Sequence, residues 1–89
     1  MITEFFLTIK EEYNKAITYY KKAVDVFKES KNDKELGNTY NNLGLAHEKL
    51  SEKSTAASYY KKAYDLYVVV YGEDDDNTIE VKANWDAVK

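Results

Sequence analysis

The heptapeptide at residues 19–25, YYKKAVD, returns forty residues later at 59–65 as YYKKAYD. At the same offset Glu12 matches Glu52 and Ala16 matches Ala56. A chain that repeats itself at such a period folds as stacked copies of one supersecondary unit, each burying its apolar side against the next. The 89 residues hold about two such units. A chain of that length hides only roughly 60–65% of the surface it exposes unfolded, so its core is modest. The organisation expected is one domain over residues 1–89. A clipped first repeat spans 1–31, a complete repeat 32–71, and the opening helix of a third repeat, or a cap, 72–89.

The unit reads as an all-α hairpin. Proline is absent, lysine and glutamate abound, and apolar residues recur every three or four positions. Five helices are expected, near residues 2–10, 12–30, 33–49, 52–71 and 77–88, stacked as antiparallel hairpins of an α-solenoid fragment. Asn32 or Asp33 suits the start of the third, with Glu35 placed as in a capping box. Ser51 suits the start of the fourth. Gly72 suits the residue just past a helix end. Asp74, Asp75, Asp76 and Asn77 favour a new start, because carboxylates stabilise the positive end of the helix dipole. Leu36, Tyr40, Leu43, His47 and Leu50 share one face, and Ala56, Tyr60, Ala63 and Tyr67 form a facing stripe. Lys61, Lys62 and Asp65 fall on the wet side. The turns at Lys10-Glu11-Glu12-Tyr13 and Leu50-Ser51-Glu52-Lys53 contain neither Gly nor Pro. Nothing in them forbids continuous helix, and opening one would hand a helix to a second copy, a domain swap.

The pattern Tyr40-x2-Leu43-Gly44-x2-His47, then Ala56-x3-Tyr60-x2-Ala63, resembles the tetratricopeptide repeat. Its small residues, Gly44, Ala56 and Ala63, let two helices approach closely while Tyr40, Leu43 and Tyr60 fill the space around them; Gly44 is expected to touch Ala56 or Tyr60. The forty-residue spacing is similar to the longer variant found in kinesin light chains and G-protein-signalling adaptor proteins. The segment YGEDDDNT resembles that variant's linker, with Asp76 at its proline position. His47 stands where an aromatic is usual, and Thr3 and Glu4 replace Leu-Gly in the first repeat. The resemblance covers nearly the whole chain and is specific for residues 36–67. It implies a protein-binding adaptor or scaffold module, not an enzyme.

Composition narrows the chemistry. There is no cysteine and one histidine, which removes thiolate and His-based metal sites; no metal, cofactor or catalytic residue is expected. Every cation is lysine and the net charge is -3, so guanine-reading arginines and a basic phosphate groove are both missing and nucleic acid is not an expected partner. No apolar run is long enough to span a membrane and no secretory leader is evident, so a cytoplasmic location is the default. His47 reads as a packed, hydrogen-bonded core histidine. Glu73-Asp74-Asp75-Asp76 reads as a solvated helix cap, because it lacks the glycine and bidentate-glutamate spacing of a calcium loop. Tyr19, Tyr59, Tyr64 and Tyr71 are too many to bury in so small a domain, and exposed tyrosines mark interfaces.

Asn38, Asn41, Asn42, Leu45, Glu48 and Lys49 lie beside or opposite the core stripe of their helix. The resemblance implies that this face lines a concave groove. Asn42 precedes Leu-Gly, where peptide-binding members carry an asparagine that holds ligand backbone, and aligning the linker matches Asn84-Trp85 to Asn42-Leu43. An amide donates and accepts at once, which suits a peptide unit of any sequence. A lysine clamp for a C-terminal carboxylate is not supported, since Met1 and Phe5 occupy places that need polar groups. The expected function is capture of an extended peptide or partner helix in that groove. The alternative is a self-associating helical-repeat fragment, a homo-oligomer and most simply a dimer, because the end helices would expose Phe5, Phe6 or Trp85. A compact bundle of another family is a third reading.

Overall fold

The computed structural model describes the backbone of residues 2–89 and the side chains of residues 8–89. Four helices follow one another: α1 (Ile2–Glu29), α2 (Asp33–Lys49), α3 (Lys53–Tyr71) and α4 (Asp76–Val88). Each packs chiefly on its neighbour in sequence. The result is an elongated stack of 46 × 29 × 19 Å. Among the described residues there is no strand.

The first helix departs from expectation. Residues 2–10 and 12–30 do not form two helices; α1 runs unbroken through Lys10, Glu11 and Glu12. The reason is local. These are good helix formers with no glycine, proline or capping side chain to stop them, and propagation adds one hydrogen bond for each residue fixed. The other boundaries fall within a residue of those expected.

The connections show why the remaining helices do end. Lys31 takes φ 56, Asn32 N donates to the Phe27 carbonyl at 2.9 Å, and Asn32 Oδ1 accepts from Glu35 N at 3.3 Å. Ser51, expected to cap α3, instead takes φ 62 at the reversal, and Glu52 becomes the N-cap without a side-chain bond to the helix. The Glu52 carboxylate is used elsewhere: Oε1 lies 3.0 Å from His47 Nδ1. Gly72 takes φ 92, open to glycine, where α3 stops. Asp75 Oδ1 accepts from Asn77 N at 2.9 Å and starts α4.

The core lies between α2 and α3. Leu43, Ala56, Tyr60 and Ala63 are wholly buried, and Leu36, Tyr40, His47 and Tyr67 nearly so, while Leu50 is half-buried. A Cβ on Gly44 would stand 2.5 Å from the Tyr60 ring, and one on Gly37 2.8 Å from the Tyr67 ring. The glycines of one helix thus seat the tyrosines of the other, and the pairings 44 with 60 and 37 with 67 show the two to be antiparallel. His47 is the core histidine expected. Its ring stacks on Tyr59 at 5.4 Å and 15°. On the far side of α3, Val81 and Thr78 of α4 are buried, and Thr78 Oγ1 donates to the Tyr67 carbonyl at 3.3 Å. Trp85, expected to stand exposed, is half-buried against Tyr64, with Lys89 Nζ 4.2 Å from its ring centre. Phe5 and Phe6, named with it, lie outside the described side chains. Lys61 and Asp65 pair on the exposed face of α3 at 3.0 Å.

Candidate functional site: the outer face of α2

The six polar or apolar candidates on α2 separate into three groups. Asn38 and Glu48 are occupied by the neighbouring helix. Tyr67 Oη donates to Asn38 Oδ1, and Tyr60 Oη donates to Glu48 Oε1 at 2.6 Å. Burial first, then the Glu48 carboxylate that accepts its hydrogen bond, pushes the Tyr60 phenol well above its ordinary range. Tyr67 is raised too, by burial and then by the nearby Tyr71, Glu80 and Glu35. Both side chains therefore act as neutral donors that fix α3 to α2.

Asn41 and Asn84 form the second group. Asn84 Nδ2 donates to Asn41 Oδ1 at 3.4 Å, which joins α4 to α2. The structure thus brings the third-repeat asparagine onto the same surface as the α2 amides, although it meets Asn41 and not Asn42.

Asn42, Leu45 and Lys49 are the third group. With Ala46 they line one wall of an open cleft of about 240 Å³, whose other wall is Tyr13, Ala16 and Tyr20 of α1. Leu45 is 38% exposed. The Asn42 amide makes no hydrogen bond with any described residue, unlike Asn38 and Asn41. The α1 wall escaped the sequence reading. Its signal was present, because Ala16 and Tyr20 are the forty-residue images of the core residues Ala56 and Tyr60.

A second cleft of about 230 Å³ opens on the other side of the α1–α2 contact and was also missed. Lys21, Lys28 and Lys62 surround it with Asp25, over a floor that includes Tyr40, Leu43 and Tyr59. Lys62 Nζ lies 5.5 Å from the Tyr40 ring centre and 5.7 Å from that of Tyr59, so the rings already hold this cation. Among the described residues no group of His, Asp and Glu side chains is placed to hold a metal ion, and no helix is long and apolar enough to cross a membrane.

The arrangement sets amide and apolar groups, with Lys49 at the edge, on one helical face beside a shallow cleft. A family model described as tetratricopeptide repeat matches residues 5–67. Neither a curated protein nor a solved structure matches the chain.

Proposed function

The chain belongs to the tetratricopeptide repeat family, whose repeats generally mediate protein–protein interaction, and on that footing we propose that it takes an extended peptide or a partner helix along the outer face of α2. The observation that carries the reading is the contrast among the asparagines. Asn38 and Asn41 are tied to α3 and α4, while Asn42 stands with its amide unpaired at the mouth of an apolar cleft beside Leu45 and Lys49. An amide in that position offers a donor and an acceptor to a backbone unit, and Leu45 offers an anchor for a side chain. Asn41 and Asn84 continue the polar surface toward α4. Glu48 borders it, with one oxygen already engaged by Tyr60. The forty-residue spacing and the YGEDDDNT linker support a place among the longer repeats of the kinesin light chain kind.

The test is a pull-down with this chain, followed by titration of the captured and identified polypeptide against wild type and Asn42→Ala. Losing one amide–backbone contact should weaken binding by about 0.5–1.5 kcal/mol, several-fold in affinity, with the melt unchanged. Equal affinities with an intact fold would remove the groove from consideration. The second reading, self-association, is favoured by a different observation, the uncovered face of α1.

A further inference from the structure

A forty-residue offset relates α1 to α3, so α3 shows what the equivalent face of α1 is shaped to meet. Ala56, Tyr60 and Ala63 are 0% exposed because α2 lies on them. Their images Ala16, Tyr20 and Ala23 are only half-buried, as is Phe27, the image of Tyr67. Beside them Tyr19 and Val26 stand 69% and 60% exposed, where Tyr59 and Leu66 of α3 are half-buried. The other flank of α1 is satisfied: Ile17 and Val24 are buried against α2. Among the described residues no helix covers α1 on the side where a tetratricopeptide unit has its first helix.

The chain's own first residues do not supply it. They are used in continuing α1. Folded back in register with α2, they would set Glu4 at the place of Gly44, where even a Cβ meets the tyrosine ring at 2.5 Å.

The half-buried row has a period of its own. Ile9, Tyr13, Ala16, Tyr20, Ala23 and Phe27 follow one another at alternating spacings of four and three, the seam of a coiled coil. The sequence carries that spacing back to Phe6 and Ile2, in phase through the point where a hairpin turn would fall. Aromatic rings alternate along it with isoleucine or alanine. Two copies laid antiparallel about a centre between Asn14 and Lys15 put Tyr13 against the partner's Ala16 and Tyr20 against the partner's Ile9, a large group against a smaller one in each layer. Net charge per half favours the same direction, with Lys21 and Lys28 bordering the second cleft and acting at longer range. Residues 2–14 carry Glu4, Glu11 and Glu12 against Lys10, whereas residues 15–29 carry Lys15, Lys21, Lys22 and Lys28 against Asp25 and Glu29. Antiparallel pairing sets the acidic half on the basic half; parallel pairing sets like on like.

We propose that a second copy of this chain covers this face, the two α1 helices pairing antiparallel so that each lies where a tetratricopeptide unit has its first helix. Because α2 sits over the C-terminal half of α1, the two α2 helices lie over opposite halves of the pair and do not collide. The partner's helix then lies on Tyr13, Ala16 and Tyr20, the α1 wall of the cleft beside Asn42, Leu45 and Lys49, so pairing and peptide capture compete for that wall. The pairing does not depend on the groove reading, since it rests on α1 alone.

The full chain in solution tests it. Light scattering at high micromolar concentration should give twice the 10.3 kDa chain mass. The chain has no cysteine, so introduced thiols report without background. Ile9→Cys and Tyr20→Cys, prepared separately and mixed, should form a mixed disulfide on mild oxidation, while neither variant alone crosslinks to itself. Circular dichroism of each variant confirms that it is folded; a variant that unfolds is replaced by the pair Glu12→Cys and Tyr19→Cys, which flank the same seam. A monomeric wild-type mass overturns the proposal. So does a dimer in which each single variant crosslinks to itself, which is parallel pairing, or in which folded variants form no crosslink at all, which is pairing through another face.

Discussion

Gly44 is the residue on which the repeat turns. Helix propensity argues against glycine there by about 1 kcal/mol relative to alanine, so its presence needs a packing reason. The reason is the Tyr60 ring, which occupies the space a side chain would take and is itself wholly buried. Gly44→Leu would force the ring off its seat and break the Tyr60–Glu48 hydrogen bond with it. The expected cost is about 1–3 kcal/mol, read as a lowered melting temperature; a melt equal to wild type would refute glycine–tyrosine packing as the basis of the α2–α3 contact. This contact was legible because Leu-Gly and Ala-x3-Tyr sit at fixed distances in the sequence. The duties of Asn38 and Glu48 were not. A side chain three or four positions off a core stripe faces either solvent or a neighbouring helix. Only the placement of the Tyr60 and Tyr67 hydroxyls against α2 decides that these two are bonded internally while Asn42 is left open.

At the scale of the elements, α2, α3 and α4 were readable because each begins or ends on a residue with a mechanism: Asn32 and Asp75 accept backbone N–H bonds, and Gly72 adopts a positive φ. The break expected near residue 11 had no such residue behind it. It was inferred from the repeat, and local propensity prevailed over the analogy. The mistaken cap has a similar origin. Ser51 has the better capping side chain, yet Glu52 is drawn to His47 and the reversal falls on Ser51. The continuity of α1 carries a prediction. Proline at position 12 removes one helical N–H and clashes with the preceding turn, at about 3 kcal/mol within a helix, but is tolerated at the first position of one. Glu12→Pro should therefore shorten α1 to a helix starting near residue 12, with far-UV ellipticity reduced by the share of the lost N-terminal turns and α2–α4 intact. Unchanged ellipticity would mean that the helix is already interrupted there.

Over the whole molecule, one face of the stack stays open among the described residues. Solenoid stability is the sum of weak units and the interfaces between them, and about three repeats are usually needed. Here the interfaces run α1–α2, α2–α3 and α3–α4. The last packs through Val81, Thr78 and Trp85, while the outer side of α1 leaves Tyr19, Tyr20, Val26 and Phe27 uncovered to differing degrees among the described residues. The sequence allowed this deficit to be foreseen from repeat counting. It did not show which end would carry it, because that depends on whether residues 2–10 turn back or run on. If a second copy covers α1, association and folding are linked, and the melting temperature must rise with protein concentration. The contact also joins acidic and basic halves at a partly exposed seam, so added salt should weaken it by screening. Melts of the wild-type chain at low and high micromolar concentration, at low and high ionic strength, separate the contributions. The expected result is a midpoint that climbs with concentration and falls with salt at the dilute end, where the dimer is least populated. A midpoint independent of concentration would show that α1–α4 melt as a self-sufficient unit with the face of α1 open to water. Self-association would then contribute nothing to the fold.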